Sequence, residues 1–325
     1  MNSKTVLLLL NHAPLALFAI VLAVFGSLSD TFLDPRNLRN LLIQSSALAL
    51  VATGMTFVLL TAGVDLSAGS VMFVAVAVAG KLIFLGHDLW LALLSAVLVG
   101  AALGAINACF ITRLRIVPFI ATLAMLFIAR GFGLWFTRTR AMNMPETVTH
   151  LGSSPWLGMP LPFWIMILVV VAAHLILTRT PFGIQIYAVG HDPAAARKAG
   201  LRVDLILFSV YVICGLCAAL SGLVSLTQTG AVSPSFGQQR EFSAIAAAVL
   251  GGTSLFGGRG HVLPGTLLGA VLIQTVENGL VILDADPYLH AFVTSAIIFL
   301  AVLLDAARSG LLARWMRRKI RPLEG

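Results

Sequence analysis

Long apolar runs alternate with short polar interruptions along the whole chain. Ten runs stand out, at about residues 9–28, 41–61, 69–85, 89–111, 117–137, 161–178, 203–226, 242–256, 262–283 and 288–305. A helix needs roughly 20 apolar residues to cross a hydrocarbon core about 30 Å thick. Lipid offers a backbone no hydrogen-bond partners, so repeated runs near this length predict transmembrane helices. The expected fold is therefore all-α: a polytopic transmembrane helical bundle of about 10 spans. The first run follows Lys4 and has no clear small-residue cleavage site after it, so it reads as a retained helix rather than a signal peptide.

Three interruptions carry more information than the runs. The first is Ala62-Gly-Val-Asp-Leu-Ser-Ala-Gly-Ser70, and the second is Gly251-Gly-Thr-Ser-Leu-Phe-Gly-Gly-Arg-Gly260. Each follows one apolar run and precedes another, and the two align at a constant offset of 189, a faint sign of internal duplication. They are expected to be broken or re-entrant segments. Irregular backbone at membrane depth must be buried or line a cavity, and broken helices at matching positions in two halves point to a transport pathway. Asp65, Ser67 and Thr253 are thus candidate pathway residues. An acid beside a span is costly unless paired or wet. For Asp65, capping a helix that starts at Leu66 or bracing the loop stands ahead of touching a solute.

The third interruption, 178–201, encloses a short helix with both ends written out. Asp192 suits the N-cap, Pro193 the first helical position, and Gly200 the left-handed residue that closes a helix. Arg197 and Lys198 sit near the negative end of the helix dipole. So short a helix gains little from its own hydrogen bonds, so a docking partner is expected.

Late in the ninth run stand Gln274, Glu277 and Asn278, with Gln274 and Asn278 one turn apart on one face. Two readings are open: a polar passage suited to a hydroxylated solute, or hydrogen bonds between helices. The GxxxG patterns Gly100–Gly104 and Gly265–Gly269 point to close helix packing, within the subunit or at a dimer seam.

Composition agrees with the membrane assignment. Hydrophobic residues make up 59% of the 325, and charged residues 10%, against about 25% in soluble proteins. The net charge of +8 does not indicate nucleic acid, because its distribution follows the membrane. With a cytoplasmic N-terminus, 14 of the 21 Lys and Arg fall in inside pieces and 5 in outside pieces. That bias predicts both termini and the 178–201 stretch to be cytoplasmic. The tail at 306–325 is basic and amphipathic, as expected of an interfacial helix on anionic lipid. Cys214 and Cys217 have CxxC spacing but lie mid-run without a second ligand pair, so helix packing is favoured over redox or zinc chemistry. Gly257-Gly258-Arg259 lacks the Lys and Ser/Thr of a phosphate loop. No catalytic constellation stands out, and no metal or cofactor is expected.

Taken together, Gly63-Val-Asp-Leu-Ser-Ala-Gly-Ser70, Gly190-His-Asp-Pro-Ala-Ala-Ala-Arg197, Gly200-Leu201, Gly251-Gly-Thr-Ser-Leu255, Gly257-Gly-Arg-Gly260, Asn278-Gly-Leu280 and Ala301-Val-Leu-Leu-Asp305 form an ordered set. In order and spacing the set resembles the membrane permease of ribose-type sugar ABC importers, over about residues 35–305. The resemblance implies a single permease domain over 1–325, a cytoplasmic coupling loop at 179–202, and transport of a monosaccharide or similar polyol into the cytoplasm. It implies a cytoplasmic ABC ATPase, a periplasmic sugar-binding protein and a second permease copy or paralogue as partners, in a bacterial inner membrane. Gly190, His191, Asp192, Pro193, Ala194, Ala195, Ala196, Arg197 and Gly200 would then form the element that docks into the ATPase. The family commonly has Asn where His191 stands, and often a neutral residue where Glu277 stands.

Three rival readings frame the expectation. A branched-chain amino-acid or nucleoside importer would favour a cationic or helix-N-terminal pocket for an anionic solute. An ion-coupled secondary transporter would need an intramembrane acid such as Asp65 or Glu277, and would leave the capped helix without a purpose. A membrane enzyme lacks a catalytic set.

Overall fold

In a computed structural model of the chain, residues 3–286, 288–290, 292–297, 299–300, 302–303 and 306 are described, with side chains from residue 15 onward. Asp305 and the basic tail beyond residue 306 lie outside the described residues.

The elements are α1 (Ser3–Leu28), α2 (Pro35–Leu60), α3 (Ala68–Phe84), α4 (Leu89–Thr112), α5 (Pro118–Thr137), β1 (Met142–Asn143), α6 (Glu146–Ser153), β2 (Pro155–Trp156) and β3 (Met159–Pro160). They continue with α7 (Leu161–Arg179), α8 (Pro181–His191), α9 (Pro193–Lys198), α10 (Val203–Thr229), β4 (Ala231–Val232), α11 (Arg240–Leu250) and α12 (Leu267–Ile282), the last entered through a kinked turn at Val262–Thr266. Prolines begin several of these helices, where the missing N–H costs nothing. Asp34 caps α2 by accepting from Arg36 N at 2.7 Å, just ahead of Pro35, and Thr180 caps α8 ahead of Pro181.

Among the described residues, six helices are long and apolar enough to cross a membrane: α2, α4, α5, α7, α10 and the kinked Val262–Ile282. Leu15–Leu28, α3 and Tyr288–Ile297 are apolar but shorter. The eighth run differs from expectation. Its helix, α11, has 11 residues, so it is about 16 Å long, half a hydrocarbon core. The Gly-rich break takes over at Gly251 because its polar and positive-φ residues cannot continue a helix.

Helices α2, α3 and α10 form the centre, with α4 laid along α10. Gly100 and Gly104 of α4 rest directly on the α10 backbone at Gly215 and Tyr211. Gly265 and Gly269 likewise meet Gly251 and Ala247. Both GxxxG patterns therefore serve packing within the subunit. Cys214 and Cys217 are buried free thiols against Gly54 of α2, a helix contact between small residues. On the periphery, α4, α5 and α7 keep apolar outer faces, with Leu94, Leu98, Phe127 and Leu168 all exposed.

The 138–160 loop carries secondary structure. It contains β1, α6 and the β2–β3 hairpin, and β1 pairs antiparallel with β4, Met142 opposite Val232. Among the described residues, these two-residue strands are what amends the all-α expectation.

Candidate functional site

The two interruptions fold alike. Helix α2 ends with Ala62 N donating to Leu59 O and Gly63 N to Val58 O, Ala62 lying at φ 58°. Helix α11 ends with Gly252 N donating to Val249 O and Thr253 N to Ala248 O, Gly252 lying at φ 92°. Both are Schellman closures around a left-handed residue. A side-chain turn follows in each: Ser67 N donates to Asp65 Oδ1, and Phe256 N donates to Ser254 Oγ. The closures match at an offset of 190 and the turns at 189, so the breaks share their geometry as well as residue types.

They also touch. Gly258 N donates to Leu60 O at 2.9 Å, and Gly257 packs on Ala62. The end of α8 closes the same contact. Gly190 is buried against Leu60 O and Gly258 N, and the His191 ring lies over Gly258, although His191 is otherwise exposed. Any side chain at 190 would overlap backbone on two sides. From α8, Tyr187 donates its hydroxyl to Gly260 O at 2.8 Å. Burial pushes the Tyr187 phenol above its ordinary value, so it stays protonated and a donor.

From this junction α9 projects outward. Asp192 accepts from Ala194 N at 2.8 Å and Ala195 N at 3.0 Å, Pro193 takes the first position, and Gly200 has φ 85°. Ala194, Ala195 and Ala199 are exposed. Ala196 is not: it turns inward with 5% exposure. Arg197 points to α10, 3.0 Å from Asp204. The free face of the helix is thus narrower than the sequence pattern suggests.

The pathway candidates divide into separate places. Asp65 and Ser67 are fully buried in a bracing network: Ser67 Oγ donates to Asp65 Oδ1 at 2.6 Å, and Asn107 Nδ2 donates to Ser67 Oγ at 2.8 Å. Asp65 does not cap a helix from Leu66, since α3 starts at Ala68. Thr253 is buried against Gly260 in the second break.

Gln274, Glu277 and Asn278 come together on the wall of a cavity of about 960 Å³, within the range of ligand sites. Around it stand Gln44 from α2, Gln238 to Arg240 at the start of α11, and His290. Asn278 and Asn37 exchange two amide hydrogen bonds, 3.0 and 3.1 Å long. Gln274 donates to Gln44 at 3.4 Å, and Arg240 faces Glu277 at 3.8 Å. Gln274 and Asn278 thus bond between helices, Glu277 faces Arg240 across them, and all three line open space. Sequence reading missed Gln44 and Arg240. The Pro234, Gly237, Gln238 and Gln239 run before α11 was the available signal of another break.

Beside this stand two more charged residues, Arg130 and Glu241. Arg130 donates to Phe236 O at 2.6 Å, lies 4.9 Å from the Phe73 ring, and shares its surroundings with Glu241. Glu241 is 5% exposed and packs on Gly69 at the start of α3. Arg130 thus finds a main-chain acceptor and an aromatic face inside its span.

Apolar helices around a polar cavity, with broken segments locked to a projecting capped helix, define a multi-pass membrane permease. Comparison with known proteins agrees. Residues 37–302 match the family described as "Branched-chain amino acid transport system / permease component", and the chain belongs to that family. The ribose import permease protein RbsC of Escherichia coli (strain K12) is 38% identical over 302 residues, covering 91% of this chain and 94% of the relative. Its namesake in Bacillus subtilis (strain 168) is 39% identical over 298 residues, covering 91% and 92%. The D-allose transport system permease protein AlsC of Escherichia coli (strain K12) is 36% identical over 298 residues, covering 91% of each.

Proposed function

We propose that this chain is the transmembrane permease subunit of an ATP-binding-cassette importer that moves a monosaccharide or similar polyol into the cytoplasm of a bacterium. Relatives named for ribose and allose import support the solute class. The observation that carries the coupling role is the junction at Gly190. There a projecting helix and two helix breaks meet through backbone, so a push on the helix reaches both breaks without slack.

In this reading the exposed small face of Ala194, Ala195 and Ala199 seats in a cleft of a separate ATPase chain, which hydrolyses the ATP. A periplasmic binding protein delivers the sugar to the outer mouth, and a second permease copy or paralogue completes the passage. The chain makes about ten crossings of the inner membrane as one domain, with α11 and the segment before it sharing one crossing. Both termini and the 179–202 loop are cytoplasmic, and the basic tail rests on lipid. Gln274, Glu277 and Asn278 face the solute, while Asp65, Ser67 and Thr253 hold the breaks in shape.

An amino-acid solute would favour an unopposed cation or a helix N-terminus for its carboxylate. Among the described wall residues Arg240 carries the fixed positive charge, and Glu277 opposes it, so a neutral sugar fits better. The test is uptake of labelled sugar into proteoliposomes that hold the permease, its ATPase and its binding protein. ATP-dependent uptake is expected. Uptake that needs no ATP and follows a proton gradient would sink the reading.

A further inference from the structure

We propose that the Arg240–Glu277 pair makes the cavity electrically neutral toward its solute and so selects uncharged polyhydroxylated molecules over sugar acids and amino sugars. This rests on the cavity being the solute path. The two groups come from different helices, α11 and α12, and converge with N to O at 3.8 Å. That is longer than a charge-assisted hydrogen bond, which spans about 2.7–2.9 Å. The side chains are 39% and 26% exposed, so neither head is spent on the other.

A solute hydroxyl can donate to the Glu277 carboxylate while accepting from the Arg240 guanidinium. An anion would be drawn to Arg240 and repelled by Glu277 in equal measure, and a cation the reverse. Either would be dehydrated on entry without a net electrostatic return. The neighbouring wall groups Gln44, Gln274 and Asn278 are amides, which add donors and acceptors but no charge. Among the described wall residues, His290 is the third titratable group.

The test places a reporter thiol in the cavity, at Ser243→Cys or, separately, Ser295→Cys, both wall positions. The full-length protein carries Cys109→Ser and His290→Gln, and the same protein without a reporter gives the background. Labelling rates by a cationic and an anionic methanethiosulfonate are compared, each relative to a free thiol. Without a change at the pair, the two relative rates should agree within about threefold. Glu277→Gln should shift the ratio toward the anionic reagent by about tenfold, and Arg240→Gln toward the cationic reagent by a similar factor. The double variant should return to the starting ratio. Unchanged ratios in both single variants would overturn the proposal. So would failure of both reporters to react with either reagent while the denatured protein labels fully. ATP-driven uptake of a neutral monosaccharide is measured separately on the assembled importer. Uptake with unchanged ratios defeats this inference alone, and shifted ratios without uptake defeat the transport reading alone.

Discussion

The junction at Gly190 and the cavity between α2, α11 and α12 differ in what they are made of. At the junction, backbone meets backbone: Gly190 on Leu60 and Gly258, Gly257 on Ala62. In the cavity, side chains meet side chains: Asn37 with Asn278, Gln44 with Gln274, Arg240 with Glu277. Backbone contacts have no rotamers and no slack, so they transmit displacement and tolerate no added atom. Side-chain contacts can exchange partners, so they suit a passage whose walls must bond a solute and release it.

Mutations should separate the two regions by size of effect. Gly190→Val should be the most severe, destabilising by about 3 kcal/mol because the overlapped atoms are main chain. Thermal unfolding of detergent-purified protein would measure it, and a wild-type midpoint would contradict the rigid-junction description. On α9, Ala196→Trp should cost about 2 kcal/mol, since the position is buried. Ala195→Trp, one residue earlier and exposed, should leave the midpoint nearly unchanged while blocking copurification of the ATPase. Equal unfolding midpoints for the pair would erase the inward and outward faces assigned to this helix.

Tyr187→Phe should cost about 1 kcal/mol by leaving Gly260 O without its donor. Asp192→Ala should cost a similar amount, but locally. Hydrogen exchange should speed up at the amides of Ala194 and Ala195 with little change in α10. At the cavity, Glu277→Gln should move the unfolding free energy by less than about 0.5 kcal/mol, as expected for a partly exposed pair. A drop of several kcal/mol would make the pair a structural brace instead.

Much of the local structure was legible in residue types. The caps of α9 follow from Asp192, Pro193 and Gly200, because each of these residues has few other backbone roles at such spacing. The two breaks were legible from their Gly, Ser and Thr content. Nothing in the chain's order shows that they touch each other, since Leu60 and Gly258 are brought together only by the packing of α2 against α11 and α12. The run at 242–256 reads as one apolar stretch, yet its helix stops at Leu250, because hydropathy averages over a window whereas helix continuity is lost at a single residue such as Gly252.

Ala196 shows the same limit on a smaller scale. Four alanines on a short helix look equivalent, and only the approach of α9 to α10 turns one of them inward. Arg240 is the sharper case: as a lone cation outside a predicted span it reads as loop charge. Its meaning comes from Glu277, 37 positions away.

The amino-acid sequence by itself determined the membrane class, the caps of α9, and the polar inventory. These depend on transfer of side chains from water and on backbone geometry within a few residues. The tertiary structure alone decided which polar groups share a cavity, which breaks form one junction and which face of α9 is free. Those depend on contacts between residues far apart in the chain, where one glycine-width of approach determines what can meet.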